Sequence, residues 1–285
     1  MKFSYDIGWL PNYVEYDEIF SVFKSSGIDT LAFNFYCLND RFELLKADAY
    51  KDNARRIREL LEAEGIRCNQ TYSPFSLKYC DERINRFEEN YGELVRALEF
   101  SAILGAEQII CYAIQTADNV SQADKNRRFY RSLISYCEKF SVKIALSSGF
   151  PKYLDNSILK TPWASAEEYA AFINSFNSPY LCACADVGGL KAEEAERMIA
   201  LLGKDDLSAV HFKDPEKYHD AHMLPYFEKT QIKEIANILK NANYNGWVTF
   251  EAPTFMKKYP RELLGALCNL FSDIGRYVCN EGEGQ

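Results

Sequence analysis

The chain has 285 residues, 47% of them hydrophobic, enough to bury a large core. A single α/β barrel of about 250 residues would use nearly all of it. With 41 acidic against 33 basic residues and a net charge of −8, it would repel a phosphate backbone, and no basic cluster offsets this, so no nucleic-acid partner is expected.

Nine cysteines, Cys37, Cys68, Cys80, Cys111, Cys137, Cys182, Cys184, Cys268 and Cys279, lie in apolar runs with no CxxC pair, and read as reduced thiols of a cytoplasmic protein. The start, MKFSYDIGW, lacks the apolar region of a signal peptide. The longest uncharged run, 169–185, is broken by Asn174, Asn177 and Pro179, so no membrane span or membrane partner is expected.

Short apolar runs at 2–7, 30–36, 67–72, 108–113, 143–147, 180–185, 209–212 and 247–251 read as strands. Between and after them, amphipathic stretches at 14–26, 49–63, 81–104, 123–140, 166–176, 192–202, 232–240 and 261–277 read as helices. In the third of these, Ile84, Phe87, Tyr91, Leu94, Val95 and Leu98 recur mostly three or four apart, which is one helical face. Gly27, Gly65 and Gly105 stand where a left-handed residue ends a helix. Ser165 in SAEE and, more weakly, Ser121 in SQAD mark helix starts. The units recur at about 40 residues without sequence similarity among them, which predicts a single (β/α)8 TIM barrel over 1–279 with a frayed tail at 280–285.

In such a barrel the residues after each strand share one mouth. Here they are Gly8 and Trp9, Cys37, Tyr72, Tyr112, Ser147 and Ser148, Asp186, His211 with Lys213 and Asp214, and Glu251. Asp186 alone reads equally well as a helix cap, and His211 alone as a core histidine. Glu251 is harder to dismiss, because a carboxylate directly after WVTF needs a cation or a donor to offset its desolvation. Together, Asp186, His211 and Glu251 from three successive strands form a mixed oxygen and nitrogen set suited to one divalent metal ion, Mn²⁺, Zn²⁺, Co²⁺ or Fe²⁺. His222, two residues from Asp220, would add a fourth ligand from the loop over the mouth, and His219 is expected to face solvent.

The runs VHFKDP, HDAHMLP and NYNGWVTFE, with CNQTYSPF and ADVGG before them, resemble the xylose-isomerase-like TIM barrels, the superfamily of sugar phosphate isomerases and epimerases that also contains endonuclease IV. The family's His-x-x-Asp strand matches His211 and Asp214. Its Asp-x-His loop with Leu-Pro matches Asp220, His222, Leu224 and Pro225, and its last-strand tyrosine, glycine and glutamate match Tyr244, Gly246 and Glu251. The resemblance covers the third strand onward. It implies proton transfer next to a carbonyl of a small carbohydrate, between two carboxylates across a metal-bound sugar.

The departures bear on that chemistry. The family's glutamate after strand five is Ser147, the histidine after the sixth-strand aspartate is Gly189, and histidines that some members carry on strands three and four are Tyr72 and Tyr112. One reading is an isomerase or epimerase with a reduced single-metal site, in which Glu251 is both ligand and base. Lys213 or Asp214 assists as donor there, or the two simply pair with each other. Sugar contacts then fall to Trp9, Tyr36, Tyr72, Tyr112, Ser147 and Asp220. A second is a non-catalytic or metal-free carbohydrate-binding barrel with Trp9, Tyr36, Tyr72, Phe75, Tyr112 and Trp163 at its mouth. A third, an abasic-site endonuclease, would need the lost ligands. The sugar and the oligomeric state, a homodimer included, stay open.

Overall fold

Short β-branched and aromatic runs followed by amphipathic helices have one way to bury both faces of every strand, which is to close a parallel sheet inside a ring of helices. The computed structural model describes residues 1–74, 87–114, 122–149, 153–154, 157–158, 163, 165–188, 190–216, 219–223, 231–252 and 258–280, with the backbone alone at 87, 153–154, 157–158, 215–216, 219–222 and 280. The predicted Ser121 cap, Phe75, Cys80, Gly189 and the tail from 281 lie outside the described residues.

The barrel strands are β1 (Lys2–Asp6), β2 (Thr30–Asn34), β3 (Arg67–Tyr72), β4 (Gln108–Cys111), β5 (Lys143–Ser147), β6 (Leu181–Asp186), β7 (Leu207–Phe212) and β8 (Trp247–Phe250). Each pairs in parallel with its sequence neighbours, and β8 closes on β1. The principal helices are α1 (Tyr16–Ser25), α2 (Tyr50–Glu64), α3 (Phe87–Leu104), α4 (Gln122–Phe140), α5 (Ala166–Asn174), α6 (Ala192–Asp206), α7 (Ile232–Asn241) and α8 (Leu264–Asn280). The predicted stops hold: Gly27, Gly65 and Gly105 have φ of 75°, 64° and 80°. Ser165 Oγ accepts from the Glu168 amide at 3.2 Å, as a helix cap does. The described cysteines are buried. Among the described residues no helix is long and apolar enough to cross a membrane.

Two cores result. A large one lies between strands and helices, and a small one, with Ala32, Tyr72, Ile110, Ala145, Cys182, Cys184 and Ala209, fills the barrel interior. Two register shifts decide which side chains join the inner set. Leu31 pairs with Cys68 but Ala32 with Gln70, so Asn69 is an extra residue, and Gln70 and Tyr72 take the inner phase in place of Asn69 and Thr71. Likewise Ala183 pairs with Leu207 but Cys184 with Ala209, which skips Ser208 and gives Ala209 and His211 the inner phase.

Other boundaries differ from expectation. β2 ends at Asn34, whose side-chain oxygen accepts from the Cys37 amide at 3.3 Å and turns residues 35–37 into a 3-10 segment. The helix expected over 261–277 opens with a 3-10 turn at Arg261–Leu263. Two antiparallel hairpins, Tyr153–Leu154 with Ser157–Ile158 and Asp214–Glu216 with His219–Met223, stand in stretches read as loop.

At Gly275 α8 packs tightly on β1. A Cβ there would lie 2.6 Å from the Tyr5 hydroxyl and 2.7 Å from Phe3 Cδ2. Tyr5 cannot swing clear, because its ring stacks on both Phe250 and Phe271. Gly275→Ala should therefore lose about 1–3 kcal/mol in urea unfolding, overriding alanine's helix preference of about 1 kcal/mol. A neutral or stabilising change would show that α8 can back away from β1.

Candidate active site at the barrel mouth

β6, β7 and β8 are neighbours, so the residues at their C-terminal ends come off side by side. Asp186 is in register with His211, and the Glu251 amide bonds the Phe212 carbonyl at 2.9 Å. Asp186, His211, Lys213 and Glu251 are all buried. The structure thus brings together four residues that the sequence nominated.

What they do to one another differs from the predicted metal set. Lys213 Nζ lies 2.8 Å from Asp186 Oδ2 and 3.2 Å from Glu251 Oε2, so the ammonium bridges the two carboxylates. Glu251 Oε1 accepts from His211 Nδ1 at 3.0 Å, and Asp186 Oδ1 from the Gly188 amide at 3.2 Å. Each of the four carboxylate oxygens therefore already has a donor. Lys213 is not engaged with Asp214 alone, as one expectation had it.

The other face of His211 is set by β3. Its Nε2 lies 2.9 Å from Gln70 Nε2, and Gln70 in turn accepts from Gln108 at 3.3 Å. Burial disfavours a charge on this imidazole, but Cys184 and the Glu251 carboxylate outweigh it, and its pKa stands well above the ordinary histidine value. An amide can serve either form of the ring: nitrogen toward a neutral Nε2, or oxygen toward a protonated one.

Asp6, at the end of β1, belongs to the same mouth and was missed by the sequence reading. It is buried, and accepts from the Gly8 amide at 2.8 Å and from Asn34 Nδ2 at 2.9 Å. Burial, and then the negative charge of Glu251, push its pKa up to about 7 against the pull of those two donors. The signal was present in KFSYDIGW, where Ser4 and Asp6 alternate with apolar residues in phase with Thr249, to which Ser4 bonds inside the barrel at 2.8 Å.

The remaining nominated residues divide. Tyr72 is buried with its ring 5.4 Å from that of His211, and its hydroxyl donates to Glu251. Tyr112 is half-buried. Burial first, then the Glu251 charge, raise the pKa of both tyrosines well above the usual value, so both hydroxyls stay protonated as donors. Ser147 is buried at the end of β5. Trp9 is half-buried just before the 3-10 segment Leu10–Asn12. Tyr36, on the turn after β2, is 45% exposed, and the buried polar residue at that strand end is Asn34. Trp163 does not line the mouth: it is buried in the outer core against Tyr169 and Phe172, and its indole N–H donates to the Ser148 carbonyl. The side chains of His219, Asp220 and His222 fall outside the described residues.

These residues do not fit a divalent ion in this arrangement. A metal needs open, deprotonated donors. Here both carboxylates hold an ammonium, and both imidazole nitrogens have protein partners. Among the described residues no three His, Cys, Asp or Glu side chains converge on a point where such an ion could sit.

Comparison with solved structures places the fold. A D-tagatose 3-epimerase-like protein aligns over 100% of both chains with a TM-score of 0.72 at 18% identity. A xylose isomerase domain protein from Alicyclobacillus acidocaldarius gives 0.75 at 17%, and the IOLI protein with a bound zinc atom 0.73 at 14%, each over 100% of both chains. At such identities the likeness is one of fold. No curated protein matches by sequence. A family model matches residues 20–269, most of the sequence, and the chain belongs to the family it describes, the xylose isomerase-like TIM barrels.

Proposed function

We propose that the protein is an isomerase or epimerase of a small carbohydrate, moving a proton at a carbon next to a carbonyl, with Glu251 and Asp6 as its proton-transfer groups. The observation that carries this reading is the presence at one mouth of two buried carboxyls in opposed environments. Glu251 is held by Lys213 and His211, whereas Asp6 is pushed to about 7. Two such groups set apart by their surroundings are what acid and base roles at neutral pH require. Structural neighbours described as D-tagatose 3-epimerase-like and as D-psicose 3-epimerase support the substrate class.

Removing a proton next to a carbonyl needs a base within reach and positive charge for the developing enediolate oxygen. Glu251 supplies the first and the Lys213 ammonium the second. The Tyr72 and Tyr112 hydroxyls and Ser147 offer hydrogen bonds to sugar hydroxyls. Trp9 and Asp220 remain candidates for sugar contact on the sequence pattern alone. A binding barrel without turnover is the second reading, favoured by the engagement of both Glu251 oxygens in ion pairs.

Incubation with a panel of aldoses, ketoses and their phosphates in D2O separates the two. Deuterium should enter next to the carbonyl of at least one sugar, and Glu251→Gln should slow that exchange by about 100-fold or more. Sugar binding in calorimetry with no exchange from any member would leave the binding barrel.

Asp6 gives a second prediction. Its folded pKa lies above that of a free carboxyl, so its contribution is most favourable where it is protonated. Stability then falls as pH rises from about 4 to about 7, by up to about 4 kcal/mol. Asp6→Asn removes that titration, so urea unfolding at pH 5 and pH 8 should show the variant gaining on the parent at the higher pH. A difference that is the same at both would show that Asp6 does not change protonation in this range.

A further inference from the structure

The geometry points to Lys213 as the resident cation of this site, a side-chain ammonium standing where a divalent ion would bridge Asp186 and Glu251. Its nitrogen is 2.8 Å from one carboxylate and 3.2 Å from the other, in a side chain only 5% exposed. An ammonium in that place leaves no room for an ion seeking the same oxygens.

The surroundings are shaped for the lysine. Its stem crosses directly over Gly188, where a Cβ would lie 2.3 Å from Lys213 Cγ, 2.9 Å from Cε and 3.2 Å from Cδ. Any side chain at 188 would push the lysine aside. Gly188 also donates its amide to Asp186 Oδ1, which fixes the carboxylate with its other oxygen toward Nζ. At the end of β5, beside β6 in the sheet, Ser147 brings a hydroxyl and no charge, and His211 spends one nitrogen on Glu251 and the other on Gln70.

The inference goes beyond the proposed activity and holds equally for an enzyme or a binding barrel, so its test reads metal and stability. The full chain, purified without chelator and dialysed against micromolar Mn²⁺, Co²⁺ or Zn²⁺, should retain less than about a tenth of an equivalent, with a Tm that EDTA does not move. Lys213→Met should leave Asp186, Glu251 and His211 open and take up about one equivalent of Co²⁺ or Mn²⁺, with a Tm that climbs with metal concentration. Gly188→Ala should displace the lysine and give the same gain, and it decides the matter if the Lys213 variant does not fold. Lys213→Arg, which keeps the charge, should stay metal-free. A full equivalent held by the unmodified protein through dialysis would overturn the inference, as would folded Lys213→Met or Gly188→Ala protein that binds no more metal than the parent.

If the proposed isomerase activity also holds, its exchange should survive EDTA. Absence of exchange would count against that activity while leaving the metal measurements to judge Lys213.

Discussion

Two carboxylates buried at the mouth of a closed barrel need positive charge or donors within contact distance, because burial withdraws them from bulk solvent. Asp186, Lys213 and Glu251 meet that demand among themselves, and much of the mouth follows from it. Gly188 is bare so that the lysine stem can pass, and His211 and Tyr72 complete the shell of donors around Glu251. The hydrogen-bond donors of Asp6 are Asn34 and the Gly8 amide, with His211 lowering its proton affinity less than they do, but Asp6 lies buried within the field of Glu251. Its proton affinity rises as a consequence. Two ion-paired carboxylates, Asp186 and Glu251, and one protonatable carboxyl, Asp6, thus share the mouth.

That arrangement depends on strand phase before it depends on any side chain. Period-two alternation means that a slip of one residue exchanges inner for outer faces along a whole strand. The extra residues Asn69 and Ser208 each make such a slip part-way along β3 and β7. Without the first, Gln70 would not back His211. Without the second, Leu207 and not Ser208 would share a face with Ala209, and the apolar outer run of Leu207, Val210 and Phe212 could not coexist with inner Ala209 and His211.

This explains what the sequence could and could not disclose. Eight strands and their helices were legible because hydrophobic periodicity and glycine stops are local signals, and Asp186, His211, Lys213 and Glu251 were legible because each follows an apolar run directly. Gln70 and Asn34 were not, since a polar residue inside a strand shows its face only once the register is known. Counting β2 to Tyr36 placed an exposed ring at the mouth, where the strand in fact ends two residues earlier on Asn34. The binding-barrel reading places Trp163 at the mouth because it is aromatic. Aromatic rings serve packing as readily as binding, and this one packs on α5. The role of Lys213 was hidden for a different reason: a lysine two residues beyond a histidine says nothing about which carboxylates its long stem will reach.

Charge links Ser147, one of the departures from the family pattern, to the place of Lys213. Placing Ser147 where that pattern carries a glutamate removes one buried negative charge. In the proposed arrangement the Lys213 ammonium would contribute one positive charge where a divalent ion would contribute two, so the net charge at the mouth would be unchanged. Either change alone would leave a buried site out of balance by a full charge, a cost of several kcal/mol in a dry interior. Ser147 therefore need not signal decay of the site. With Lys213 already shared between Asp186 and Glu251, a carboxylate at 147 would add a buried negative charge, and the Ser147 hydroxyl adds none.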